Sequence, residues 1–100
     1  MKAILIDGPG RQLSEVNVND AAEIAALVGQ DSIITDDLGD GDAVHFDEDC
    51  FIRGTEGRFQ IDSLAPIAGK AVVVGLSGEA LADAGLDVDA LQARIKFIEA

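Results

Sequence analysis

The chain has 100 residues, enough for one domain and not two, and 48% of them are apolar, so one core can be built without staples. Nineteen acids against seven bases give a formal charge of −12. That balance argues against DNA, RNA or an anionic membrane as a direct partner, because phosphate binding needs clustered Lys and Arg. Cys50 is the only cysteine, so there is no internal disulfide and no thiolate zinc cluster. Apolar runs such as Ala71 to Val74 are far short of the ~20 residues that span a bilayer. Lys2 is followed only by Ala3 to Ile6 before Asp7, which is no signal peptide, and a cytoplasmic protein is expected.

Met1 to Ile6 reads as a buried strand closed by the turn Asp7-Gly8-Pro9-Gly10. Leu13 to Val18 suits a second strand, antiparallel to the first across that turn. Asp20-Ala21-Ala22-Glu23 is a capping box, Ala21, Ile24, Leu27 and Val28 keep helical spacing, and Gly29 can end the helix. Ser32 to Thr35 and Ala43 to Phe46 are expected to be strands joined by Asp36 to Asp42. Cys50 to Arg53 and Arg58 to Asp62 form a further expected pair, with Gly54-Thr55-Glu56-Gly57 as the hairpin loop. Ala71 to Val74 reads as a central strand. Val88, Leu91, Ile95 and Ile98 form one apolar stripe and predict a last helix over residues 88–99. The expected fold is α+β, a single domain with a mixed, mostly antiparallel sheet of about five or six short strands and two helices, at about 20–29 and 88–99.

Four segments carry a resemblance: Met1-Lys2-Ala3-Ile4-Leu5-Ile6-Asp7, Gly41-Asp42-Ala43-Val44, Leu64-Ala65-Pro66-Ile67-Ala68-Gly69-Lys70, and Asp89-Ala90-Leu91-Gln92-Ala93-Arg94-Ile95-Lys96-Phe97. Together they are similar to a family of small uncharacterised bacterial domains found on phages, plasmids and other mobile elements. The resemblance covers nearly the whole chain. It implies a compact α+β fold and a mobile-element setting, and it carries over no catalytic residue.

Two stretches concentrate charge. Asp36, Asp37, Asp40, Asp42, Asp47, Glu48 and Asp49 are seven acids within fourteen residues, with no Lys or Arg between them. As a calcium loop begun at Asp36, the stretch places Asp40, Gly41 and Asp47 at the required positions but puts Leu38 where an oxygen ligand is needed. As a DNA mimic, a hairpin of roughly 20–25 Å offers one charge per ~3 Å, against one per ~1.7 Å of duplex, so acids elsewhere must complete it. The plainer alternative is a solvated edge hairpin whose charges block edge-to-edge aggregation. Arg53, Arg58 and Lys70 are three of the seven bases and lie within 18 residues. Two Arg forks and a Lys near Gly54, Gly57 and Gly69 could hold a phosphate or carboxylate, or could simply pair with the surplus of acids. Gly69-Lys70 is not a P-loop, since the preceding glycine of that motif is missing.

Catalytic chemistry finds little purchase. His45 alternates with Val44 and Phe46 and is expected to point to solvent, while Cys50 beside Phe51 reads as a small core residue in an acidic neighbourhood that disfavours a thiolate. Ser14, Ser32, Ser63 and Ser77 sit in no nucleophile-elbow pattern, and a lone histidine makes no His-rich metal site. The sequence therefore points to a non-enzymatic accessory or protein-binding module with no cofactor. Its expected partner is a protein with a basic surface, met through the acidic face from Asp36 to Asp49. The alternatives are a DNA-mimic inhibitor of a DNA-binding or defence protein, and a small-anion (phosphate or nucleotide) binder using Arg53, Arg58 and Lys70.

Overall fold

The computed structural model describes residues 1–39, 41–78 and 80–98. β1 (Lys2–Asp7) and β2 (Gln12–Asn17) pair antiparallel, with Lys2 opposite Asn17 and Asp7 opposite Gln12. In α1 (Ala21–Val28) the Asp20 side chain accepts the Glu23 N–H at 3.0 Å. Glu23 reaches back to the Asn19 N–H at 2.8 Å, one residue earlier than a capping box requires. Gly29 ends the helix at φ 87°, a left-handed cap that glycine adopts without strain.

The chain continues through β3 (Ile33–Gly39), β4 (Asp42–Asp47), β5 (Arg58–Ile61), β6 (Ile67–Ala68), β7 (Lys70–Ser77) and β8 (Ala80–Ala82). It closes with α2 (Val88–Gln92) and β9 (Ile95–Ile98). The larger sheet has the order β2-β1-β7-β4-β3, with β8 also paired to β7, and the smaller has the order β6-β5-β9. Every strand pair among the described residues is antiparallel. The expected α+β fold, with two helices and a sheet of six strands, is therefore present. The second sheet is an addition to it.

Strand alternation divides the core into two layers. Ala3, Val72 and Val74 face α1 and pack with Ile24, Val28 and half-buried Leu27. Ile4, Ile6, Val44 and Val73 face the smaller sheet and pack on Phe59, Ile61, Ile67 and Leu91. β1, β7 and β4 are thus covered on both faces, which explains why their apolar runs are nearly continuous. Phe59 is fully buried and meets Phe97 edge-to-face at 6.3 Å between ring centres. A pair of this kind is worth about 0.5–1.5 kcal/mol beyond its buried area.

Three expectations are corrected. The last helix stops at Gln92, and residues 95–98 form β9, with Ile61 opposite Ile95 and Arg58 opposite Ile98; Glu99 lies outside the described residues. The apolar residues at 88, 91, 95 and 98 fit a helical stripe, but strand pairing buries Phe97 on Phe59 and closes one edge of β5. Cys50 to Arg53 is a coil of successive turns, because its backbone bonds are local: Cys50 N–H to Asp47 O, Arg53 N–H to Asp49 O and Gly54 N–H to Phe51 O. Gly54 to Gly57 is consequently no hairpin loop, and β5 pairs with β6 and β9 instead. The strand begun near Ser32 runs on to Gly39, with an irregularity between Asp37 and Gly39, so most of the expected linking loop is strand.

Candidate functional site

Three glycines bring distant segments together. The N–H of Gly8 donates to Gly69 O at 3.0 Å, and the N–H of Gly69 donates to Gly57 O at 3.1 Å. A Cβ on Gly8 would stand 2.2 Å from Gly57 O, and one on Gly57 would stand 2.2 Å from Pro9 N, so backbone lies directly on backbone. This knot fixes the turn after β1 against the segment that enters β5. Asp7 tightens the turn by accepting the Gly10 N–H at 3.1 Å, and Arg11 leaves it at φ 53°.

Beside the knot lies a groove of about 550 Å³ lined by Gly8, Pro9, Arg11, Phe51, Gly54, Thr55, Glu56, Gly57, Arg58 and Ile98. The guanidinium of Arg58 sits 5.6 Å from the centre of the Phe51 ring, a cation–π contact. Phe51 is 47% exposed and the adjacent Ile52 87%. The coil is anchored from beneath by Cys50, which is 2% exposed and accepts the Thr55 N–H on its carbonyl at 3.0 Å.

The three bases expected to form an anion site are not assembled together. Arg58 lines the groove, but Arg53 and Lys70 do not. Arg53 turns back onto Asp47, Nε to Oδ2 at 2.9 Å, with Asp49 at 3.9 Å and Ser32 Oγ at 3.4 Å. Lys70 opens β7 opposite Asp7. The base that joins Arg58 is Arg11. Sequence proximity could not reveal it, although the glycine-rich turn beside it was the available signal.

The seven acids do not form one face either. Asp42 is 4% exposed and accepts the N–H groups of Gly85 and Leu86 at 2.7 and 3.1 Å. Asp47 is 3% exposed and accepts the Asp49 N–H at 3.0 Å as well as Arg53. Both are structural ties and are withdrawn from any partner-binding face. Asp36 and Asp37 are successive residues of edge strand β3 and point to opposite faces of the sheet. Asp40 lies outside the described residues. Glu48 and Asp49 remain, at the start of the coil that carries Phe51 and Ile52.

His45 corrects another expectation, since it is buried at 9% exposure and not turned to solvent. β4 is an inner strand, and the face that carries His45 lies opposite the one that carries Val44 and Phe46. Thr35 Oγ1 is 3.0 Å from His45 Nδ1, while Nε2 has no hydrogen-bond partner among the described residues, and burial pushes the imidazole pKa down. Asp62 is drawn below the usual carboxylate range by its hydrogen bonds from Arg94, one of them 3.0 Å from Nε. Among the described residues no three His, Cys, Asp or Glu side chains are placed to hold a metal ion. No described helix is long and apolar enough to cross a membrane. Compared with protein-family models, with curated proteins and with solved structures, the chain matches none.

Proposed function

We propose that the chain is a non-enzymatic protein-binding module of a mobile element, docking through its 48–57 coil on a partner with a basic surface. The observation that carries this reading is the exposure of two adjacent large apolar side chains, Phe51 and Ile52. One exposed apolar residue is ordinary on any protein. A neighbouring pair inside an acidic segment matches the composition of an interface, an apolar centre with a charged rim. Burying side chains of this size contributes roughly 1.5–3 kcal/mol each, and aromatic anchors dominate many interfaces. Glu48, Asp49 and Glu56 border the pair in sequence, and the net charge of −12 attracts a basic partner over long range. The mobile-element setting is what the resemblance of the four sequence segments implies, and no family model bears on it.

The test is retention of partners from lysate of the native host, with the wild-type chain, Ile52→Asp and Glu48→Lys as baits. The expected result is a protein with a basic surface held by the wild type and lost by both variants, with their thermal midpoints unchanged. Undiminished retention by Ile52→Asp would refute the reading.

A further inference from the structure

We infer that the outer edge of β3, from Ile33 to Asp37, takes an extended basic segment of a partner protein as an added strand. The site is separate from Phe51 and Ile52 and stands whether or not the coil docks. β3 ends the larger sheet and pairs on one side only, with β4. Ser32 O accepts the Glu48 N–H at 2.7 Å, and the register that sets Ile33 against Asp47 places these two residues opposite each other. Bonded and non-bonded pairs alternate along an antiparallel ladder, so Ile34 and Asp36 bond to β4 while Ile33, Thr35 and Asp37 turn their backbone groups outward. The Ile33 N–H is taken by Asp31 O at 3.0 Å. The N–H and C=O groups of Thr35 and Asp37, and the C=O of Ile33, have no backbone partner among the described residues. Beyond them Arg94 donates to Leu38 O at 3.0 Å and closes the edge. Five residues leave roughly 16 Å of open ladder, the length of an ordinary strand.

The side chains on this edge select the occupant. Ile34 is 37% exposed, Asp37 is exposed and Asp36 is half-buried. Alternation puts Ile34 with Asp36 on one face and Thr35 with Asp37 on the other, so both faces carry an acid toward the same end. An antiparallel strand complements them with two adjacent basic residues opposite Asp36 and Asp37, and β-branched residues opposite Ile33 and Ile34. A second copy of this chain fits badly. Two β3 edges at full antiparallel overlap set Ile34 against Asp36 and Ile33 against Asp37, and they join two chains of charge −12. The acids thus repel a like edge and leave a basic strand as the one that pairs. The other edges lack these features: β6, β8 and β9 are two to four residues long, and β2 carries one acid, Glu15.

The experiment is a titration of the ¹⁵N-labelled full chain with an end-blocked pentapeptide of two lysines, one threonine and two valines, in that order. The expected result is saturable shifts at the amides of Thr35 and Asp37, with a dissociation constant of about 1 mM or below. The same peptide N-methylated at its first, third and fifth residues keeps its charge, loses the donors that meet β3, and should bind about tenfold more weakly. Replacing Asp36 and Asp37 together by Asn keeps their size and should weaken binding by about fivefold. Should that variant fail to fold, the two peptides on the wild-type chain decide the matter. Ile52→Asp should leave binding unchanged, and its loss there would assign the peptide to the coil and overturn the inference. Equal binding of the N-methylated peptide, which means charge attraction alone, also overturns it, as does an absence of saturation up to about 10 mM. So do undiminished binding by the double variant, shifts confined to other regions, and a chain that dimerises through Thr35 and Asp37 without peptide.

Discussion

Arg53 reaches back six residues and sets its Nε 2.9 Å from Oδ2 of Asp47, whose side chain is 5% exposed against 40% for Arg53. The pair ties the end of β4 to the coil that presents Phe51 and Ile52. Arg53→Ala leaves a buried carboxylate whose one remaining hydrogen-bond partner among the described residues is the Asp49 N–H. Losing a hydrogen bond to a charged group costs about 1.5–3 kcal/mol, and urea unfolding should show a loss of that size with an unchanged m-value.

Asp42 performs a similar task at longer range, tying the start of β4 to Gly85 and Leu86 more than forty residues away. Asp42→Ala strands two N–H groups and should destabilise by about 2–4 kcal/mol. Asp42→Asn keeps an acceptor oxygen and should cost clearly less. Equal losses for the two variants, measured by urea denaturation, would show that charge and not acceptor geometry matters at this position.

These two aspartates also show where sequence reasoning stopped. The acidic stretch reads as one solvated face because charge counting does not distinguish an Asp that caps buried backbone from one in water. Elements set by local rules were legible: Asp20 and Gly29 mark α1 with caps, and the apolar run of β1 ends at its turn. Elements decided by tertiary pairing were not. Ile95-Lys96-Phe97-Ile98 satisfies both a helical stripe and a strand alternation, and only the open edge of β5 selects the strand. His45 had its alternation read correctly, but β4 is buried on both faces, so neither set of side chains reaches solvent freely. Arg11 joins Arg58 only because Gly8, Gly57 and Gly69 allow three backbone segments to touch.

His45 makes stability depend on pH. Burial lowers its folded-state pKa below the unfolded value, so the unfolded chain takes up the proton first as pH falls. The contribution to stability is full above the unfolded pKa of about 6.5 and is lost as pH drops below it toward the folded pKa. Between pH 7.5 and 5.5 the wild type should therefore lose more stability than His45→Gln, with a difference in slope of at most ~1.4 kcal/mol per pH unit. Parallel denaturation midpoints for the two proteins across that range would contradict it.

Added salt should stabilise the fold at neutral pH. Twelve excess negative charges repel one another in the folded state, and salt screens them over ~10 Å at ~0.1 M. Opposing this are ion pairs such as Asp47 with Arg53 and Asp62 with Arg94. The Asp62 pair is exposed and worth at most about 1 kcal/mol, and the Asp47 pair, whose carboxylate is buried, is screened little by salt, so the repulsion among nineteen acids prevails. The thermal midpoint should rise steadily from low to moderate sodium chloride, and a steady fall would mean that the pairs dominate.

Truncation after Arg94 tests the reassignment of the terminal segment from helix to strand. β9 supplies the partner for every residue of β5, from Arg58 opposite Ile98 to Ile61 opposite Ile95. Removing it bares the backbone edge beside Phe59 and Ile61, both fully buried, and takes away the ring packed on Phe59. The truncated chain should unfold or aggregate at any concentration, by circular dichroism and light scattering. The single change Phe97→Ala should cost about 2–3 kcal/mol, below the full 3–5 kcal/mol of a buried Phe because Phe97 is half-buried. If the segment instead served to join two subunits, the truncated chain would stay folded and pass from dimer to monomer. A monomer with native β-sheet content after truncation would therefore defeat the structural role of β9.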